Sequence, residues 1–265
     1  MFFKVLGPNL QGRDFIVSDL HGCFVLFWQA LQDVGFEPRC DRVFSVGDLI
    51  DRGPHSFECL MLLREPWFHA VLGNHEAMLL AWLGVRGSPD HTPDDFLFNG
   101  GYWLLQLTAT QKATLQHQLI PLVAALPLVL RVNDTLEPFN VAHAEATELS
   151  KRGALTDVDL AQRDLLKLSG PLTWGRRLVK DALQVMAPDT AWIQGVRISP
   201  RSRHPGLSLT YVGHTKLTAP ILHHSHVFMD CGAIDQELGE PMGYLHLVEH
   251  RAFVTALAAH RPAPA

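Results

Sequence analysis

The chain reads as a single α/β domain. Short apolar runs, Phe15-Ile16-Val17, Val43-Phe44-Ser45-Val46 and Ala70-Val71-Leu72, each lead into a polar loop that carries glycine. The stretches between them place apolar residues at helical spacing. The order strand, helix, strand, helix, strand favours a predominantly parallel sheet covered by helices. With 265 residues, 47% of them hydrophobic and 18% charged, the chain can build a full core at an ordinary single-domain length.

The elements follow in order. After the first run, Phe24, Phe27, Leu31 and Val34 recur at helical spacing, and Gly35 stands where a helix would be capped. A helix is expected over residues 56–64, stopping before Pro66. The third run is followed by a helix over residues 76–83 and then Gly84. Residues 85–101, with Gly87, Pro89, Pro93, Gly100 and Gly101, read as a surface loop near the site. Residues 108–119 and 156–168 read as helical. Residues 128–132 and 139–142 read as strands around Asn133-Asp134, and residues 209–212 and 227–229 as two more. Residues 184–205 read as irregular. Residues 244–248 and 252–255 are expected to close the sheet. The domain is expected to span residues 1–258, with 259–265 a disordered tail. The six tryptophans are mostly core candidates, and Trp103 and Trp174 lie close enough to motif residues to wall a cleft.

Bulk properties exclude several classes. A net charge of −5 gives no global basic field, so no nucleic-acid partner is expected. Cys23, Cys40, Cys59 and Cys231 form no C-x-x-C pair, which suits a reducing compartment and buried thiols. The start of the chain lacks the basic, long-apolar pattern of a secretory signal. The longest apolar stretch, residues 119–130, is broken by Pro121 and Pro127 and is too short to span a bilayer. The expectation is a cytoplasmic protein with no membrane partner. Its oligomeric state is not readable.

The polar loops carry the chemistry. Asp19 and His21 flank one residue at a strand end, where an extended D-x-H turns both side chains the same way. An oxygen and an imidazole nitrogen suit a borderline divalent ion. Alone, the pair reads better as a helix-capping aspartate beside a turn histidine. Asp48 follows the second run and has two oxygens with which to bridge cations. Asn74 follows the third run, and His143 and His214 follow later ones. Six candidate ligands thus lie beyond five strand ends, the place where α/β proteins build sites. Two-metal centres hold their ions roughly 3.5–4 Å apart and clamp the attacking and leaving oxygens. Beside them, Arg52 offers a planar fork for phosphate. His75 adjoins Asn74 and could act as general acid, with Asp51 orienting it. A plain ion pair of Asp51 with Arg52 or Arg86 is the alternative. The run His223-His224-Ser225-His226 would put His224 and His226 on one strand face, but no carboxylate or cysteine accompanies them, so the expectation is against a second metal site there.

Asp19-Leu20-His21-Gly22, Gly47-Asp48-Leu49-Ile50-Asp51-Arg52-Gly53 and Gly73-Asn74-His75-Glu76 resemble the GDxHG, GDxxDRG and GNHE signature of the PPP-type metallophosphoesterases. That family contains the serine/threonine protein phosphatases, and the likeness is strongest to its compact bacterial and phage members. The likeness runs from about Phe15 to about Ala233 and includes Asn99-Gly100-Gly101, Val141-Ala142-His143-Ala144-Glu145, Trp174-Gly175-Arg176, Gly213-His214-Thr215 and Asp230-Cys231-Gly232-Ala233.

The resemblance implies a calcineurin-like β-sandwich of mixed sheets flanked by helices, in place of a purely parallel sheet. It implies that Asp19, His21 and Asp48 bind one metal and that Asp48, Asn74, His143 and His214 bind a second. Manganese is the expected ion, with iron or zinc as alternatives. It further implies an Asp51–His75 acid, a phosphate clamp of Arg52 and Arg176, and in-line attack by a metal-activated water. The implied substrate is a phosphoprotein or a small phosphoester. Symmetrical diadenosine tetraphosphatases share the fold but commonly depart from aspartate at the position of Asp51, so Asp51-Arg52-Gly53 favours the protein phosphatase branch. A non-catalytic metal-binding module ranks last, because every expected position is filled. Two features depart from the pattern. Ser18 replaces a glycine, which would be strained if that position needs φ > 0. Residues 184–205 are long, and their Arg197, Arg201 and Arg203 either meet an anionic substrate or form a solvated basic loop.

Overall fold

The computed structural model describes residues 2–85, 93–148 and 153–260. Twelve strands occur among them: β1 (Phe3–Leu6), β2 (Asp14–Val17), β3 (Arg42–Ser45), β4 (Phe68–Ala70), β5 (Val129–Val132), β6 (Phe139–Ala142), β7 (Trp192–Ile193), β8 (Val196–Ile198), β9 (Leu209–Val212), β10 (Ile221–His223), β11 (His226–Phe228) and β12 (Leu247–Glu249). They form an eight-stranded sheet in the order β1-β5-β6-β9-β11-β10-β8-β7 and a four-stranded sheet in the order β12-β2-β3-β4. The β2-β3-β4 run is parallel, as the strand-helix alternation predicts. Antiparallel β12 makes that sheet mixed, and the β5–β6 and β10–β11 pairs do the same for the larger one. The mixed sandwich thus replaces the purely parallel reading.

Period-two alternation explains the layers. Ile16 and Phe44 point from the small sheet into one cluster with Leu130, Val132, Phe139, Val141, Leu209 and Tyr211 of the large sheet. Their strand neighbours Phe15, Val17 and Val43 point the other way, into the helical layer. Phe44 and Phe139 meet edge to face across the sandwich, 5.5 Å between ring centroids. A small sheet apolar on both faces must be covered twice, and the large sheet and the helices cover it.

Most helices stand where the periodicity places them. Phe24–Asp33 ends just before Gly35, and Asn74–Trp82 starts two residues earlier than expected, so Asn74 and His75 occupy its first turn. Ser56–Met61 tightens into a 3₁₀ turn, Leu62–Arg64, ahead of Pro66. Thr108 caps Ala109–Thr114 by accepting from the Gln111 N–H. The chain then widens into a π turn, Leu115–Leu119, before Pro121, which has no N–H to donate.

Five expectations need correction. β4 lies two residues before the predicted run, because Leu72 leaves the sheet and its N–H donates to the Pro127 carbonyl. The expected loop 85–101 contains the helix Pro93–Phe98, while Arg86 falls outside the described residues. Residues 184–205 hold the end of the helix Arg177–Val185 and the β7–β8 hairpin. Residues 252–255 are helical within His250–Ala259, since Phe253, Val254 and Leu257 form a buried helical stripe. That helix ends at Ala259, and of the expected tail residues 261–265 lie outside the described residues. Trp192 is exposed rather than core, with the Arg197 guanidinium over its ring. None of the described helices is long and apolar enough to cross a membrane.

The loop between β2 and β3 is anchored by Asp41. Its buried carboxylate accepts from the Arg13 N–H, the Glu37 N–H and the Arg13 guanidinium, whose Nη2 lies 2.6 Å from Oδ2. Burial disfavours the ion, but these bonds outweigh it and hold the Asp41 carboxyl below the usual range. The unfolded chain therefore binds the proton more readily, and the stabilisation is present above the ordinary aspartate range and lost as pH falls through it. Asp41→Asn is expected to cost about 1–3 kcal/mol at pH 7, the scale of hydrogen bonds to a charged group. Urea unfolding at descending pH should show the gap between parent and variant closing below about pH 4.

Candidate metal centre

Five loops converge at the carboxyl ends of β2, β3, β4, β6 and β9. The small sheet delivers Asp19, His21, Asp48 and Asn74, and the large sheet delivers His143 and His214. All six side chains are buried. The loops are not relaxed. Among the described residues eight besides glycine have φ > 0, and His21, Asp48, Asp51, Arg52 and His214 are five of them. Such conformations persist only where the surroundings enforce them, and they cluster at functional sites. Ser18 is not among the eight; it sits buried at the end of β2, donating its N–H to the His246 carbonyl. The glycine-to-serine departure therefore carries no strain.

Asp48 faces two ways. Its Oδ1 lies 3.4 Å from His143 Nε2, and its Oδ2 lies 3.7 Å from His21 Nε2 and 3.8 Å from His75 Nε2. The Asn74 amide oxygen lies 2.8 Å from His143 Nε2 and 2.9 Å from His214 Nδ1. Two ion-sized groups result, His21 with Asp48 and His75, and Asp48 with His143 and His214. Asp19 stands beside them, with both oxygens accepting from the His214 N–H at 3.2 and 2.9 Å.

The donor chemistry fits divalent cations. The Nδ1–H of His21 donates to the Ile50 carbonyl at 3.0 Å, and that of His143 to the Val46 carbonyl at 2.8 Å. Each ring then turns its Nε2 lone pair into the site, the role that outer partners of metal-binding histidines perform. Burial, with neighbouring positive groups, presses the His21 and His214 imidazoles down to about 3, so both rings are neutral near pH 7. Burial and the charges of Asp230 and Asp48 push the Asp19 carboxyl well above its usual range. A cation would relieve that repulsion.

The surrounding residues explain the precision. Glu76 accepts from the backbone N–H groups of Asp48, Leu49 and Gly73 at 3.0, 2.8 and 3.0 Å, tying two ligand loops together. His75 Nδ1 meets Asp51 Oδ2 at 2.5 Å, and Asp51 Oδ1 accepts from the Trp103 indole N–H at 2.7 Å. Burial disfavours the His75 imidazolium, but Asp48 and Asp51 outweigh it and raise its pKa. Arg52 donates to His21 Nε2 at 2.8 Å and to His75 Nε2 at 3.0 Å. Arg176 donates from Nε to His214 Nε2 at 3.2 Å. Trp174 lies edge-on to His214. The structure thus gathers every expected site residue, and both tryptophans near the motifs reach it.

Three supporting residues were not identified from sequence as site residues. Glu76 belongs to a recognised motif, yet its bracing role needs the fold. Glu145 accepts from the Arg177 and Val179 N–H groups and so fixes the turn that carries Arg176. Asp230, at the end of β11, is buried next to Asp19, and burial and Asp48 push it up to about 6. The Asp51–Arg52 ion-pair alternative fails, because Asp51 spends its oxygens on His75 and Trp103. The arginines of residues 184–205 are also engaged: Arg203 with Glu137, Arg201 with Asp181, and Arg197 with the Ala187 carbonyl.

Comparison with known proteins agrees with this geometry. The calcineurin-like phosphoesterase family matches residues 15–176, and the chain belongs to it. Membership implies divalent metal ions. The chain is 44% identical over 130 residues to serine/threonine-protein phosphatase 1 of Salmonella typhimurium, covering 49% of this chain and 57% of that protein. It is 42% identical over 75 residues to the symmetrical bis(5'-nucleosyl)-tetraphosphatase of Haemophilus ducreyi, covering 27% of this chain and 28% of that one. In fold it resembles a cold-active protein tyrosine phosphatase, with a TM-score of 0.51 at 16% identity over 94% of this chain and 76% of the other.

Gly213 tests how tightly the ligands are packed. A Cβ there would land on the Asp19 carboxylate and lie 2.6 Å from Val46 Cγ2. Gly213→Ala is expected to displace Asp19 and His214 and to lower bound metal per chain, with circular dichroism unchanged. Parent-like metal content by atomic emission would refute the crowding.

Proposed function

We propose that the chain is a metal-dependent phosphomonoesterase, a protein phosphatase of serine/threonine or dual specificity, built as one catalytic domain. Asp19, His21 and Asp48 hold one divalent ion, and Asp48, Asn74, His143 and His214 hold a second. Manganese is our assignment, though this oxygen and imidazole set also accepts iron or zinc. Ions bound there would supply charge to neutralise phosphoryl oxygens and would lower the pKa of water. The protein's own groups do the rest. Arg52 and Arg176 place two guanidinium groups at the site for the phosphate oxygens, where a planar fork gives bidentate contact. When the Arg52 guanidinium turns from His75 Nε2 to a phosphate oxygen, Nε2 is free to carry the proton for the leaving alkoxide. Asp51 accepts from Nδ1–H, fixing the tautomer and stabilising the imidazolium. The Trp103 indole holds Asp51 in turn. The unpaired thiols among the described residues suit the cytoplasm we assign.

What carries this reading is the Asp51–His75 pair facing Arg52 at the edge of the ligand cluster. A phosphomonoester with a poor leaving group needs such an acid. The named Salmonella relative supports a phosphoprotein substrate. Hydrolysis of dinucleoside polyphosphates is the second reading, supported by the named Haemophilus relative.

Metal-stripped protein should hydrolyse p-nitrophenyl phosphate only after manganese is restored. A phosphoserine peptide should then be cleaved faster than diadenosine tetraphosphate. Dominant cleavage of the dinucleotide would select the second reading, and full metal occupancy without turnover of any phosphoester would leave a binding module. His75→Asn is expected to lower turnover of a phosphoserine peptide by roughly 10²–10⁴-fold, the scale of general acid catalysis, and turnover of p-nitrophenyl phosphate by less. Metal content should be retained, and equal losses on both substrates would refute the acid role.

A further inference from the structure

A second cluster of ligand side chains lies outside the site, at the turn between β10 and β11. His223, His224, Ser225 and His226 do not form one strand. His223 ends β10, His224 and Ser225 form the turn, and His226 begins β11. Both turn residues have φ > 0, at 46° and 63°, where glycine or asparagine is usual. The turn is locked from outside, with the His224 N–H donating to the Arg201 carbonyl and the Ser225 N–H to the Ser202 carbonyl, both at 2.7 Å. His226 is fully used, since its Nε2 accepts from the Ala146 N–H and its Nδ1 bonds the His224 carbonyl.

The carboxylate absent from the local sequence arrives from the helix Arg177–Val185. Asp181 Oδ2 lies 3.0 Å from His223 Nε2. One ligand atom each from Asp181, His223 and His224 falls within 4.8 Å of the others. We propose that Asp181, His223 and His224 form a second metal site, for a zinc-like divalent ion, that staples the β10–β11 turn to this helix.

The details fit such an ion. His223 Nδ1 lies 2.7 Å from the Ser199 hydroxyl, an outer partner that orients the ring with Nε2 toward Asp181. The His224 Nδ1 is buried without a hydrogen-bond partner. Burial lowers the pKa of both imidazoles, so they present lone pairs at neutral pH. Two ligands on a tetrahedral zinc ion stand about 3.3 Å apart, so 3.0 Å needs only a slight opening. The ion takes the place of the proton that Nε2 shares with Asp181, and the neutral ring then carries its proton on Nδ1, which donates to the Ser199 hydroxyl. Entry is open, because a cavity of about 440 Å³ is lined by Asp181, His224, Leu178 and Arg201. The Arg201 guanidinium, 3.5 Å from Asp181 and 58% exposed, can swing aside into water.

The test uses the full chain, stripped of metal and dialysed against zinc. Parent protein is compared with Asp181→Asn and with His224→Asn, since asparagine keeps the left-handed turn. Each variant should bind one zinc fewer per chain by atomic emission. Zinc should raise the melting temperature of the parent more than that of either variant. Manganese-dependent hydrolysis of p-nitrophenyl phosphate should be unchanged. Equal zinc stoichiometry in all three proteins would overturn the proposal. So would loss of zinc and turnover together, which would place the ion at Asp48. If His224→Asn does not fold, Asp181→Asn decides from the opposite side.

Discussion

A buried carboxylate set between two groups of candidate ligands governs this structure. Asp48 is held with φ > 0 at the carboxyl end of β3, with Gly73 packed so closely that a Cβ there would meet its backbone nitrogen and carboxylate. Glu76 makes the arrangement possible. One carboxyl group satisfies three backbone N–H groups from two loops, and those donors would otherwise be buried and unpaired at about 1–3 kcal/mol each. Burial and Asp48 push Glu76 up to about 8, so the brace is itself held at an electrostatic cost.

The sandwich supplies the other half of the geometry. Candidate ligands from the small sheet meet His143 and His214 from the large one, so the cluster forms only where the two sheets dock. The apolar contacts that set the docking, Phe44 on Phe139 and Phe139 on Tyr211, lie in the cluster directly between the sheets. Packing that excludes water there also strips the solvent from the imidazoles, which keeps them neutral and fit to ligate. Core and chemistry are two effects of one burial.

Much of this was legible in the sequence, because the signals were local. An apolar run followed by D-x-H, GDxxDRG or GNHE marks both a strand end and its candidate ligands within a few residues. The later histidines were found because each follows an apolar run among small neighbours. What escaped depends on contacts far apart in sequence. The bond from Trp103 to Asp51 spans 52 positions, and that from Asp181 to His223 spans 42. No periodicity encodes such pairs. The misread elements have a different cause. Residues 252–255 are apolar enough for a strand, and only the spacing of Phe253 to Leu257 across the whole element marks a helix. Residues 93–98 form a helix of under two turns amid glycine and proline, which local propensity reads as loop.

Residues late in the chain bear on the first candidate ligand. Strand β12 adds to the outer edge of β2, and just before it His246 exchanges two hydrogen bonds with Ser18, the residue preceding Asp19. The matched family region ends at residue 176, some seventy positions earlier. Shortening the chain from its C-terminus is therefore no trimming of an appendage. Removal of residues 246–249 would leave all three signature motifs intact on paper, yet free the strand that aims Asp19 and expose a sheet edge open to pairing with other chains.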